Sequence, residues 1–213
     1  DKDYKSWCKI REAQTKVYNN IKNTFMAVGM GLGKFNDIHP TAKKEIAYRL
    51  EKAAIHGVYK DSYFSNLDIS NGFSPIFKDS LALQDKLILY FDNAKDGFVI
   101  KNTDKILNEY KELEAIQGNT IHNDFTGFEI AGKDGIFYPA KYEFGTEEKN
   151  SIILYNENVS QPKYARYAWY NYGPSPIYGK NDLPLSPFRT SSEYEKEDIK
   201  IEHADIQQIM TVW

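Results

Sequence analysis

The spacing of apolar residues changes near residue 58, and this change constrains the fold more than any other feature of the sequence. Before it, apolar side chains recur at helical intervals in two segments, which flank the short apolar run Phe25–Val28. After it, short runs rich in β-branched and aromatic residues alternate with turn dipeptides. The first pattern predicts an α/β unit, and the second predicts antiparallel β-structure.

The first 58 residues predict a helix, a strand, a loop and a second helix. The first helix spans residues 5 to about 22, and the second begins at Pro40 or Thr41 and ends near Gly57. One strand cannot form a sheet, so we expect residues 1–58 to be the last unit of a larger α/β domain whose N-terminal part is missing. The apolar stripe of the first helix consists of Trp7, Ile10, Val17 and Ile21.

Residues 59–213 predict an antiparallel β-sandwich that is interrupted by a short helix near residues 104–118. Three dipeptides predict turns between strands: Asn71-Gly72, Asp96-Gly97 and Asp134-Gly135. The predicted strands lie near residues 81–83, 86–91, 97–100, 126–130, 151–155 and 164–169.

The hexapeptide FNDIHP, residues 35–40, is the strongest candidate for chemistry. It follows the predicted strand, and loops at strand ends carry the active sites of α/β sheets. A neutral imidazole at His39 could take a proton from an attacking hydroxyl, with Asp37 orienting the ring. On the residues alone, a lone histidine beside a helix start is more often a structural hydrogen-bonding residue.

An ordered set of motifs extends over nearly the whole chain and resembles the sialate O-acetylesterase family. These enzymes are serine esterases of the SGNH type with an accessory β-sandwich. The motifs are W-x-x-x-REAQ at 7–14, MAV at 26–28, G-x-x-NDIHP at 33–40, FEIAG at 128–132, RYAW at 166–169 and LPLSPFRT at 183–190.

The resemblance implies a two-step hydrolysis of acetylated carbohydrate, either sialic acid or a plant-type glycan, without a metal or an organic cofactor. His39 would be the general base. Asp37 would be the orienting acid, or else the enzyme would use a Ser–His pair with a backbone acceptor, since the usual acid position is occupied by Asn36. Asn36 and Arg189 are candidates for substrate binding. The resemblance also implies an extracellular, periplasmic or lysosomal location.

The nucleophile is not evident in this sequence. Lys78-Asp79-Ser80 superficially resembles a Gly-Asp-Ser block, but it lies after His39 and lacks the glycine, so we interpret it as a turn into a strand. The serine would then lie upstream in the same protein or on a companion chain. The alternative is a non-catalytic fragment that binds carbohydrate or completes another chain. The aromatic residues available for glycan contact, or for packing, are Tyr167, Trp169, Tyr170, Tyr172 and Tyr178.

Charge and composition argue against other classes of function. The net charge is −3, from 27 basic and 30 acidic residues, and no basic stripe indicates nucleic-acid binding. No apolar run approaches the roughly 20 residues that span a bilayer. The four histidines and Cys8 do not show metal-ligand spacing, so we expect no metal site.

Overall fold

The computed structural model describes residues 5–37, 39–59, 72–116, 120–121 and 125–193. Three helices lie in these ranges: α1 Ser6–Asn20, α2 Lys43–Gly57 and α3 Asp104–Ile116. Helices α1 and α2 confirm the two helices predicted from apolar spacing, and α3 confirms the short helix predicted to interrupt the strands. The strand predicted at Phe25–Val28 is wrong, because this segment has no regular secondary structure. A strand requires a hydrogen-bonding neighbour, and no described segment pairs with it.

Ten strands form antiparallel sheets in the described part of the chain. One sheet has the order β1-β2-β7-β6, the second has the order β10-β8-β4-β5, and the third pairs β3 with β9. The strands are β1 Ile76–Leu83, β2 Lys86–Asp92, β3 Phe98–Ile100, β4 Phe128–Ala131, β5 Phe137–Pro139, β6 Lys141–Phe144, β7 Ser151–Tyr155, β8 Tyr164–Tyr167, β9 Ile177–Gly179 and β10 Phe188–Arg189. The fold is therefore mixed, with three helices and several antiparallel sheets.

Two of the three predicted turn dipeptides lie among the described residues, and both form turns. Gly97 and Gly135 have φ values of 93° and 72°, a region that favours glycine. Asn71 lies outside the described residues. The turn predicted at Lys78-Asp79-Ser80 is wrong: these residues lie inside β1, where the register shifts between Phe77 and Asp79. The irregularity is a β-bulge rather than a turn.

A single hydrophobic cluster draws side chains from both four-stranded sheets. Phe188 of β10 stacks on Phe77 of β1, with ring centroids 4.8 Å apart, and meets Phe91 of β2 edge-on at 5.6 Å. Val28 and Met30, which follow α1, belong to the same cluster. The connection between α1 and α2 is thus anchored on the core that the sheets form.

The apolar stripe of α1 faces solvent. Trp7 and Val17 are 50% and 51% exposed, and Ile10 and Ile21 are similar. The opposite, polar face contacts the sheets, where Arg11 donates to the carbonyl oxygen of Tyr170. Helix α2 shows the same inversion, since Leu50 is exposed while Arg49 is buried. Helix α1 buries Cys8, and α2 buries Arg49, Ala53 and His56, while the large apolar side chains named here stay exposed.

Candidate active site

The FNDIHP segment forms a tight turn between Met30 and α2. Lys34 and Asp37 are bridged across it, and the backbone N–H of Asp37 donates to the carbonyl oxygen of Lys34 at 3.5 Å. Phe35 and Asn36 occupy the exposed tip. Ile38 is outside the described residues. The turn projects Asn36, Asp37 and His39 from one short loop.

Arg49 of α2 binds the backbone of the segment that precedes the loop. Its guanidinium donates to the carbonyl oxygens of Val28 and Met30, the latter at 3.0 Å. Burial lowers the pKa of Arg49 from its ordinary value, but an arginine remains protonated at neutral pH. A buried cation therefore fixes the backbone immediately before the loop, and the start of α2 fixes the backbone after it.

Asp37 contacts His39 through the backbone. One carboxylate oxygen of Asp37 accepts the backbone N–H of His39 at 2.8 Å, which is an Asx turn. Within the described residues, this bond goes to the amide and not to the imidazole. The His39 side chain is exposed at the surface of the loop. The Asx turn fixes the backbone conformation at His39, and the imidazole ring stays accessible to solvent.

A cavity of about 330 Å³ lies beside this loop. Lys34 and Thr41, which flank His39 in sequence, both line it. The opposite wall comes from α3 and from Tyr172. The ring of Phe35 meets the ring of Tyr172 edge-on, with centroids 5.8 Å apart. The loop of His39 therefore faces residues that the sequence assigned to the β-rich part of the chain.

Helix α3 contributes groups that sequence reasoning missed. Asn102 precedes the helix and accepts the backbone N–H of Asp104 at 2.8 Å. Glu109, one turn further on, accepts a hydrogen bond from the hydroxyl of Tyr172. Burial and this hydrogen bond raise the pKa of Tyr172 well above its ordinary value, so the phenol stays protonated. No local motif marks Asn102 or Glu109, because only the tertiary fold brings α3 to the loop.

Most of the aromatic cluster noted in the sequence is packed in the interior. Trp169 is 2% exposed, which confirms its interpretation as a packed residue. Tyr167 is fully buried, and its hydroxyl oxygen accepts the backbone N–H of Ile177 at 3.0 Å. Tyr170 is also buried and donates to the carbonyl oxygen of Pro174. Among these residues, Tyr172 is the one that both lines the cavity and is half-exposed.

Arg189 lies away from the loop, on β10 against α1. Its guanidinium donates to both carboxylate oxygens of Glu12, at 2.8 and 3.0 Å. It also lies over the ring of Trp169, 4.9 Å from the centroid. The side chain of Arg189 is 7% exposed. The structure thus brings Asn36, Asp37 and His39 together and gives Arg189 the contacts of an anchor for α1.

Ser80, the serine of the Lys78-Asp79-Ser80 block, lies within β1 and pairs with Leu89 of β2 rather than occupying a turn after a strand. In the described ranges, no group of three or more His, Cys, Asp and Glu side chains is arranged to hold a metal ion. No helix among the described residues has the length and apolar character needed to cross a membrane.

No protein-family model matches the chain, and no curated protein sequence matches it. A solved structure does match: a carbohydrate acetylesterase from Xanthomonas citri, with a TM-score of 0.66 and 27% sequence identity. The similarity covers 90% of this chain but only 38% of that enzyme. The chain therefore has the fold of part of a carbohydrate acetylesterase and spans well under half of that enzyme's length.

Proposed function

We propose that this chain is the His39-bearing part of a carbohydrate O-acetylesterase. The observation that carries the proposal is the similarity to a carbohydrate acetylesterase over 90% of the chain, together with the exposed His39 on a loop whose residues Lys34 and Thr41 line a cavity. On the basis of the sequence motifs, we also propose that the protein is a member of the sialate O-acetylesterase family and uses an SGNH-type serine mechanism. By the same resemblance, we propose that the protein works extracellularly, in the periplasm or in lysosomes.

In the proposed mechanism, His39 handles the proton in both steps. A serine hydroxyl attacks the acetyl carbonyl while the imidazole takes the hydroxyl proton, and the imidazolium then gives that proton to the departing sugar oxygen. Water next attacks the acetyl-serine with the same assistance, which releases acetate and regenerates the serine. Asp37 would contribute by fixing the backbone at His39, and we propose that Asn36, at the exposed loop tip, contacts the substrate.

The serine belongs, in this proposal, to a part of the hydrolase domain outside this chain. The exposed apolar stripe of α1 and the exposed Leu50 of α2 support the idea, because soluble proteins rarely leave large apolar faces uncovered. We propose that the stripe of α1, with Trp7 and Val17, and the exposed Leu50 of α2 pack against that missing part. Residues 1–58 would then complete an α/β/α hydrolase domain, and residues 59–213 would form the accessory β-sandwich.

Replacement of His39 by alanine in the full-length protein tests the function directly. We expect kcat/KM for 4-nitrophenyl acetate to fall by about 10²- to 10⁴-fold, because positioned acid–base groups contribute that much. Lys43→Ala, at the exposed start of α2, is the matched control and should leave the rate unchanged. Activity of His39→Ala within a few-fold of the parent would remove the imidazole from the mechanism.

A second measurement locates the nucleophile. Labelling the active protein with a fluorophosphonate, followed by peptide mass spectrometry, should modify a serine that is absent from residues 1–213. A label on Ser80 would contradict the proposed division of the active site. Active protein that takes up no label at all would contradict the serine mechanism itself.

A further inference from the structure

The backbone that leads into the His39 loop is bound by a buried side chain from another element. Arg49 of α2 is 8% exposed, and its guanidinium donates to the carbonyl oxygens of Val28 and Met30. Both acceptors belong to a segment without regular secondary structure. The guanidinium therefore supplies hydrogen bonds that a neighbouring strand would supply in a sheet. The path of the chain into the loop depends on this side chain of α2.

Tyr178 of β9 approaches the same place from the β-rich part of the chain. It is 9% exposed, and its hydroxyl oxygen lies 3.5 Å from the position that a Cβ would take at Gly31, the residue after Met30. Burial lowers the pKa of Arg49, and the charge and hydrogen bonding of the Tyr178 hydroxyl act against that lowering. The phenol is therefore close to both the guanidinium and the backbone that the guanidinium binds.

Tyr178 and α2 are themselves fixed by further contacts. The ammonium group of Lys101 lies over the ring of Tyr178, 4.7 Å from the centroid. Lys52 follows Arg49 by three residues on α2 and donates to the carbonyl oxygen of Asn181 at 2.6 Å. Residues three apart lie on the same face of a helix, so one face of α2 meets the region of β9 at two points. The β-rich part thereby sets the position of Arg49.

From these contacts we infer that Arg49 and Tyr178 are positioning residues for His39. The inference rests on the proposed esterase function and adds two residues from outside the loop to it. They act by fixing the backbone between residues 28 and 31, from which the loop at residues 35–40 continues. An imidazole must keep its distance and angle to the attacking hydroxyl. A small displacement of the loop therefore slows the chemical step and changes substrate binding little.

Kinetics of the full-length protein on 4-nitrophenyl acetate test this inference. Arg49→Met should lower kcat about 10- to 100-fold through displacement of the loop. Tyr178→Phe removes only a hydroxyl and should lower kcat about threefold to tenfold. KM should stay within about twofold of the parent in both variants, since positioning acts on the transition state. Tyr164→Phe is the matched control: it removes the hydroxyl of another buried tyrosine, which bonds to Glu193, and kcat should not change.

The same substitutions in the His39→Ala background distinguish positioning from a general loss of structure. If Arg49 and Tyr178 act through the imidazole, their replacement should leave the residual kcat of His39→Ala unchanged within about twofold, because residues that act together are not additive. A purely structural role would lower kcat by the same factor in both backgrounds, and that result would overturn the inference. Parental kcat in both Arg49→Met and Tyr178→Phe would overturn it as well.

Circular dichroism and urea denaturation establish that each variant is folded under the assay conditions. If Arg49→Met does not fold, Tyr178→Phe decides the inference, since it keeps the ring and removes one oxygen. Failure of the inference differs from failure of the proposed function. Near-parental activity of His39→Ala would overturn the esterase mechanism and the positioning role with it. Loss of activity in His39→Ala, with equal effects of Tyr178→Phe in both backgrounds, would overturn the positioning role alone.

Discussion

Glu12 and Arg189 lie 177 positions apart in the sequence and form a two-point ion pair, with N–O distances of 2.8 and 3.0 Å. The guanidinium also covers the ring of Trp169, and its side chain is 7% exposed. The apolar stripe of α1 faces away from the sheets, so polar contacts attach α1 to the β-rich part. These include the Glu12–Arg189 pair, the bonds of Arg11 and the bond from the backbone N–H of Trp7 to Asn171.

Removal of the Glu12 carboxylate should destabilise the protein. Glu12→Ala leaves the buried Arg189 guanidinium without its anionic partner, and we expect the free energy of unfolding to fall by about 1.5–3 kcal/mol. Urea denaturation of the parent and the variant measures the difference. Lys16→Ala is the control, because Lys16 pairs with the same carboxylate but has a 68% exposed side chain. Lys16→Ala should change the free energy of unfolding by no more than about 0.5 kcal/mol. An equal loss in both variants would show that the ion pair with Arg189 does not contribute more to stability than the exposed pair with Lys16.

The same pair predicts a dependence of stability on pH. Burial acts to raise the pKa of Glu12, but the hydrogen bonds and charges of Arg189 and Lys16 outweigh it, so the pKa lies below its ordinary value of 4.5. A carboxyl with a depressed folded-state pKa stabilises the protein fully above the unfolded pKa and loses that contribution as pH falls through the folded pKa.

Unfolding free energies measured between pH 7 and pH 3 should therefore decline below about pH 4.5, and the decline should be shallower in Glu12→Gln. Parallel curves for the parent and Glu12→Gln would mean that Arg189 does not perturb this carboxyl.

Asp37 is expected to act by positioning, because its observed bond goes to the backbone amide of His39 at 2.8 Å. Asp37→Asn retains an oxygen for that bond, so kcat/KM for 4-nitrophenyl acetate should stay within about threefold of the parent. Asp37→Ala loses the bond and should lower kcat/KM by about 10- to 100-fold through misplacement of His39. A loss near 10⁴-fold in Asp37→Asn would show instead that the carboxylate orients and stabilises the imidazolium ring.

The exposed stripe of α1 gives a test of the proposed missing partner surface. Val17→Asp changes a residue that is 51% exposed in this chain, and it should lower the unfolding free energy of the full-length protein by more than about 2 kcal/mol if the residue is buried there. Leu83→Asp, at a site 54% exposed at the end of β1, is the control and should change stability by less than about 0.5 kcal/mol. If Val17→Asp is as harmless as Leu83→Asp in the full-length protein, the stripe is not an internal interface.

The helices and most strands could be predicted from the sequence, because their signals are local. Apolar intervals marked α1 and α2, an interruption of the strand pattern marked α3, and short alternating runs marked β2, β3, β4, β7 and β8. The longest strand, β1, was predicted only over residues 81–83. The short strands β5, β6, β9 and β10 escaped prediction, since each has two to four residues and is defined by its pairing partner rather than by its own pattern. The predicted strand at Phe25–Val28 failed for the same reason, because the sequence offered apolar character but the described chain offers no neighbour.

Local spacing along the chain was enough to locate the helices and the loop that carries Asp37 and His39, since these signals depend on residues close together in the sequence. Three other relationships follow from the three-dimensional packing: the face of α1 that meets the sheets, the ion pair of Arg189 with that helix, and the position of Tyr172 and α3 beside the His39 loop. These relationships join residues up to 177 positions apart. They depend on how the hydrophobic core orients its helices and sheets, which no local pattern contains.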